Sequence, residues 1–235
     1  MKTIARTNPA RRRAGGLAAL YLAAAYLLAM PFFLVVVKYP GVTDPMEKVA
    51  LLARHHTSLH VMYLITYVVF GIVLAALALA LYQRLESSAP LAMRVATVVG
   101  LLWAFVLVAS GMVFNAGMAA AVALYPSDPG GAVSLWQAVE PVAQGLGGSG
   151  GELLGGLWVL LVSYASLRAG EFPRQLCWLG LAVGLAGIVS VVPPLNGAAY
   201  AFGLLQIAWF VWLGVGMLRT GERSGRLLVP EVDPA

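Results

Sequence analysis

From Val95 to Leu124 the chain runs for 30 residues without a charged side chain. A helix of that length rises about 45 Å, against roughly 30 Å for the hydrocarbon core of a bilayer. The segment therefore has to tilt, protrude or break, and Asn115, with Gly111 and Gly117 beside it, is the natural place for a break or for the start of a projecting end. Five further apolar runs approach or exceed membrane length: 15–37, 61–82, 148–167, 176–192 and 200–218. None alternates with period two, and backbone polar groups in lipid must be satisfied within the segment, so the runs predict helices and exclude a β-barrel.

The expected fold is therefore all-α, a polytopic integral membrane bundle of six transmembrane helices. A basic amino-terminal segment (1–14) precedes the transmembrane domain (15–218), and a short tail (219–235) follows it. Composition agrees: 60% of residues are hydrophobic, 11% are charged, and the mean hydropathy is +0.85. No ordinary soluble domain needs such a balance, because polar residues must cover its surface. The first run follows Arg11-Arg12-Arg13, yet it is too long for a secretory signal and shows no small-x-small cleavage site, so it predicts an uncleaved first helix.

Basic residues set the expected orientation. With the amino terminus inside, Lys2, Arg6, Arg11, Arg12, Arg13, Arg84, Arg94, Arg168, Arg174, Arg219, Arg223 and Arg226 all fall on the inner side, and only Lys38, Lys48 and Arg54 on the outer side. Both termini are then cytoplasmic and the protein belongs to the cell (inner) membrane. The net charge of +5 needs no nucleic acid to explain it, since the basic residues flank spans and do not interleave with aromatics. The lone Cys177 allows no intrachain disulfide and no cysteine-type zinc site. Nothing in the chain calls for a cofactor.

The outer loops, 38–60 and 125–147, are long and predict a cap, the second through SDPGG and the amphipathic VSLWQAVEPVAQ. After them comes the glycine-rich stretch GLGGSGGELLGG, residues 145–156. It lacks the lysine of a nucleotide-binding P-loop and does not follow a strand. Gly147, Gly151 and Gly155 recur every four residues and predict one close-packing helix face. Gly180 and Gly184 on the fifth helix are the candidate partners of this stretch, and a homo-oligomer or a second membrane protein is the alternative.

Counting back from Arg168 puts Glu152 about one turn below the outer edge of the hydrocarbon. A carboxylate there either enjoys the positive end of its helix, wetted by the outer loop, or faces a functional cavity. Topology brings Glu140, His60, Asn115 and Asn196 to the same side, so an outward-open cavity holding these residues with Glu152 is expected to bind a ligand. His56 and His60 stand at the i, i+4 spacing of metal ligands; two imidazoles do not close a site, and interfacial histidines are the alternative. Six tryptophans read as interfacial anchors or packing.

The stretches ARRRAGGLAALYLAAAYLL, GELLGGLWVLLVSYASLRAGEFPRQLCWLGLAVGLAGI and AFGLLQIAWFVWLGVGML, with the FPRxLxxLG-like turn, resemble a bacterial multipass membrane family of unknown function, the DUF4386-like family. The resemblance implies a six-helix fold and brings no catalytic residues. Three functions stand open: binding, transport or sensing of a small apolar or amphiphilic molecule; an acid-base enzyme of cyclase or isomerase type, using Glu152 or Glu140 on a lipid-soluble substrate; and a structural subunit of a membrane complex.

Overall fold

The structure, a computed structural model, describes residues 9–147 and 152–226. Gly151 of the expected glycine face, and the first residues of the span expected from 148, lie outside the described residues. Within them the chain is almost entirely helical, with no strand. In order come α1 (Pro9–Pro31), a π-helical turn (Phe32–Val36), a 3-10 turn (Tyr39–Gly41), α2 (Pro45–Arg54), α3 (His56–Tyr63), a second π-helical segment (Leu64–Val69) and α4 (Phe70–Leu85). Then follow α5 (Pro90–Leu124), α6 (Pro129–Gly147), α7 (Glu152–Ala169), α8 (Arg174–Val189) and α9 (Ala198–Arg226).

Prolines stand in the first turn of α2, α5 and α6. Pro45 and Pro90 stand in the first turn of α2 and α5, and Pro129 opens α6, where the missing N–H is one no helix would have bonded. Asp44 and Asp128 precede two of them, each accepting a 2.8 Å hydrogen bond, from the Glu47 and Gly131 amides respectively. At the other end of α7, Gly170 takes φ +62° and stops the helix.

Five stretches among the described residues are long and apolar enough to cross a membrane: Arg13–Val36, His56–Leu85, Pro90–Leu124, Pro129–Ala169 and Ala198–Arg219. The sequence predicts six crossings. The difference lies in α8, which is apolar but has only 16 residues, about 24 Å of rise. A second difference concerns Asn115: α5 runs unbroken through it. The Asn115 amide nitrogen donates to the His60 carbonyl across the helix pair at 3.3 Å, so it neither breaks α5 nor disturbs its ladder.

Neighbouring helices run antiparallel, as close contacts at glycines show. Gly16 meets Gly214, Gly71 meets Ala104, and Gly156 meets Gly184 and Gly187. Along α5, Gly117 faces Val139, Leu107 faces Gly147, Trp103 faces Gly155 and Gly100 faces Trp158. Thus α6 and α7 follow one another down the same side of α5. This arrangement carries Arg13, Arg84, Arg94, Arg168, Arg174 and Arg219 to one end of the bundle, and Lys38, Lys48 and Arg54 to the other.

The interior divides in two. A large core between the helices centres on Leu74, Leu77, Trp103, Trp158, Phe202, Trp209 and Phe210. A smaller one, at the Lys48 end, gathers Val49, Leu52, Leu59, Tyr63, Phe114, Met118 and Trp136 under α2 and α6, with Tyr63 stacked on Phe114 at 4.5 Å between centroids. The predicted outer cap is thus a packed lobe in which 129–147 forms a full helix. Of the six tryptophans, Trp103, Trp136, Trp158 and Trp209 are buried, while Trp178 and Trp212 are exposed; four of them are core packing and two remain free to anchor at an interface.

Candidate functional site

Two irregular helix segments meet at one place. Pro31, at the end of α1, has no N–H to give, and the next five residues adopt π geometry, closed by the Val37 amide on the Phe32 carbonyl at 2.9 Å. Opposite, the Thr66 hydroxyl donates to the Met62 carbonyl at 2.8 Å, while the Tyr21 hydroxyl donates to the Ile65 carbonyl at 2.8 Å. These side-chain bonds engage carbonyls within and beside the π segment 64–69.

Between the two π segments lies a cavity of about 240 Å³. Phe33 comes from the first segment and Thr66 and Tyr67 from the second; Ala25, Tyr26, Ala29, Phe70, Trp103, Leu107, Gly147 and Glu152 complete the lining. Five of the eleven residues are aromatic, and Glu152 is the one carboxylic acid among them. Position follows from helix arithmetic: Glu152 lies 16 residues from Arg168 and Tyr67 lies 17 from Arg84, so both stand roughly 25 Å from the arginine end.

Glu152 is partly buried, and no described residue pairs with its carboxylate. The hydroxyls of Tyr26 and Tyr67 are within its electrostatic reach and make no hydrogen bond with a described residue. Gly147 lines the cavity, and both Gly147 and Gly155 make close approaches to α5. A Cβ on Gly147 would lie 3.0 Å from that of Ser110, and one on Gly155 would lie 2.7 Å from the Trp103 ring. The expected glycine face therefore packs on α5. The contact with Gly184 is made instead by Gly156, while Gly180 meets Ser163 and Trp209.

The other residues expected in this cavity are elsewhere. Glu140 sits in the capping lobe, where its carboxylate accepts from the Tyr39 hydroxyl at 2.8 Å, from Lys48 Nζ at 3.2 Å and from Gln144 Nε2 at 3.1 Å. Trp136 Nε1 in turn donates to the Tyr39 hydroxyl at 3.1 Å, and Lys48 lies 4.9 Å from the Tyr39 ring centroid. Burial, with Tyr63 and the Glu140 carboxylate nearby, holds the Tyr39 hydroxyl well above its ordinary pKa. This cluster borders a separate pocket with Thr43, Pro45, Gln137 and Pro141. Its polar groups are bonded to one another, which suits a clasp joining the 39–48 segment to α6.

Asn115 is buried and spends its amide on the His60 carbonyl. Asn196 is exposed beyond the 3-10 turn Pro193–Leu195. The His56 and His60 rings are 6.4 Å apart between centroids. Among the described residues no group of three or more His, Cys, Asp or Glu side chains is placed to hold a metal. At the arginine end, Arg84 pairs with Glu171 at 2.6 Å and packs over Phe172 at 4.8 Å.

The chain was compared with protein families, with curated proteins and with solved structures, and it matches none of them.

Proposed function

We propose that this chain is a multipass integral membrane protein, with six transmembrane segments and both termini cytoplasmic, that binds a small apolar or amphiphilic molecule for transport or sensing. The ligand occupies the cavity between the two π segments. The observation that carries this reading is the coincidence of both irregular helix segments, five aromatic side chains and one carboxylate without a described partner around the same space. π-helical irregularities cost regular hydrogen bonding and recur at functional sites. An apolar pocket with few polar groups is the usual form of a small-molecule site.

Binding precedes chemistry in this reading because neither candidate acid of a cyclase or isomerase has a second catalytic group beside it: Glu140 is engaged by Lys48, Tyr39 and Gln144, and the Glu152 carboxyl has no hydrogen-bond or ion-pair partner among the described residues. Replacing Ala29 by Phe fills the cavity while keeping both carboxylates in the chain. Native mass spectrometry of the purified full chain is expected to show a bound organic molecule that Ala29→Phe has lost, at an unchanged melting temperature. A stoichiometric protein partner, with the same small-molecule content in both proteins, would favour a structural subunit instead.

The positive-inside argument supports the orientation. Alkaline phosphatase, active only outside the cytoplasm, should be inactive when fused after Arg226 in a bacterial host and active when inserted at Gly130. The reverse pattern overturns the assignment. The same fusions place the capping lobe, with Lys48 and Glu140, on the outer side.

A further inference from the structure

We infer that the cavity between the π segments is a site for an organic cation, a compact ammonium-bearing molecule whose charge is met by Glu152 and by the faces of Tyr26, Tyr67 and Trp103. This inference rests on the small-molecule reading above and names the ligand class.

The lining decides the sign of the charge. No lysine, arginine or histidine is among its residues, and the single carboxylic acid is Glu152. Aromatic rings present a negative face and a positive edge, so wherever Tyr26, Phe33, Tyr67, Phe70 and Trp103 turn a face to the cavity they attract a cation and repel an anion. An ionised Glu152 at that depth is costly without a counter-ion. A cationic ligand supplies that counter-ion.

A bare metal ion does not fit the same wall. Hard cations take six or more oxygen ligands, whereas the side-chain oxygens here are those of Glu152, Tyr26, Tyr67 and Thr66. The Thr66 hydroxyl is already directed at the Met62 carbonyl. Aromatic rings and small aliphatic groups make up the remainder, and they suit a cation that carries its own carbon shell. Size agrees: an apolar protein cavity of about 150 Å³ admits benzene, so about 240 Å³ has room for a ring bearing an ammonium head. The Tyr26 and Tyr67 hydroxyls, free of described partners and close to the carboxylate, are placed to take N–H donors when the ammonium has them.

The test uses two probes of nearly one shape, benzyltrimethylammonium and its uncharged isostere neopentylbenzene, titrated calorimetrically into the full chain in detergent micelles. Benzyltrimethylammonium is expected to bind at least tenfold more tightly than the isostere. Glu152→Gln, which keeps the shape of the side chain, is expected to weaken the cation tenfold or more and leave the isostere unchanged. Tyr26→Leu, which removes a ring face and spares the carboxylate, is expected to weaken the cation several-fold, and it keeps the question open to decision if Glu152→Gln does not fold. Equal binding of both probes, indifferent to Glu152→Gln, overturns the cation assignment and leaves the small-molecule reading standing. Binding of neither probe also overturns it, and the Ala29→Phe comparison then judges the broader reading by itself.

Discussion

Gly156→Ala should lower the melting temperature of the detergent-solubilised protein by roughly 5 to 10 °C, a loss of about 2 to 3 kcal/mol for a chain of this size. The new methyl group would lie 2.7 Å from the Gly184 carbonyl oxygen, 2.8 Å from the Ile188 nitrogen and 2.9 Å from the Gly187 carbonyl carbon. All three atoms are backbone, so no rotamer change relieves the contact and α7 and α8 have to move apart. Helix association in lipid draws on van der Waals contact rather than on the hydrophobic effect, so a small separation removes much of what holds the pair. Gly156→Leu should prevent recovery of monodisperse protein. Gly145→Ala is the control: nothing lies within 4 Å of a Cβ there, and alanine favours the helix by about 1 kcal/mol. If Gly156→Ala melts like the parent while Gly145→Ala does not, the close approach of α7 and α8 is wrong.

That glycine shows how far the sequence can be read. Helix boundaries depend on local chemistry, since Asp44-Pro45, Asp128-Pro129 and the left-handed Gly170 act within a few residues, yet 38–60 and 125–147 read as loops where the structure has α2 and α6. The ends of the bundle were legible through arginine. Which face of α7 meets which neighbour was not legible, because lipid-facing and core-facing positions are both apolar and the amphipathic period that marks a soluble helix is weak. Four-residue spacing favoured Gly147, Gly151 and Gly155 equally with Gly148, Glu152 and Gly156. One step around the helix separates contact with Trp103, at Gly155, from contact with Gly184, at Gly156. The Gly16 and Gly214 contact between α1 and α9 went unread for the same reason.

The site divides similarly. Glu152 was visible as a lone acid in an apolar run, and its depth followed from counting residues. Its aromatic surroundings were not visible, since Tyr26, Tyr67 and Trp103 come from three other helices and no sequence period joins them. The π segments left only traces, Pro31 and the hydroxyl of Thr66, each of which is compatible with an ordinary helix. Gathering Glu140, His60, Asn115 and Asn196 with Glu152 followed from topology alone, which places residues at one end of a bundle without saying which share a pocket. The end of the bundle that holds Lys48 contains a separately packed lobe with its own core, and Glu140 belongs to that lobe.

Breaking the clasp in that lobe should have the second large effect. Lys48→Met leaves a carboxylate that is 9% exposed with only the neutral donors Tyr39 and Gln144, at a cost of about 2 to 3 kcal/mol. This is below the 3 to 5 kcal/mol of a fully buried pair because the Lys48 side chain retains 24% exposure. Glu140→Gln alone should cost a similar amount, and the two together less than their sum, because the double variant buries no uncompensated charge. Hydrogen exchange should localise the loss to residues 39–55, whose segment the clasp ties to α6, and leave α7 and α8 protected. Additive effects, or loss of protection spread evenly over the chain, would show that the cluster does not act as a unit. Alkali should act on the same clasp: because the folded Tyr39 hydroxyl is held above its unfolded pKa of 10.0, its contribution is complete below pH 10 and falls as the pH rises beyond it. Tyr39→Phe should therefore begin with a weaker clasp at neutral pH, one hydrogen bond short at both Trp136 and Glu140, and lose protection less steeply than the parent above pH 10.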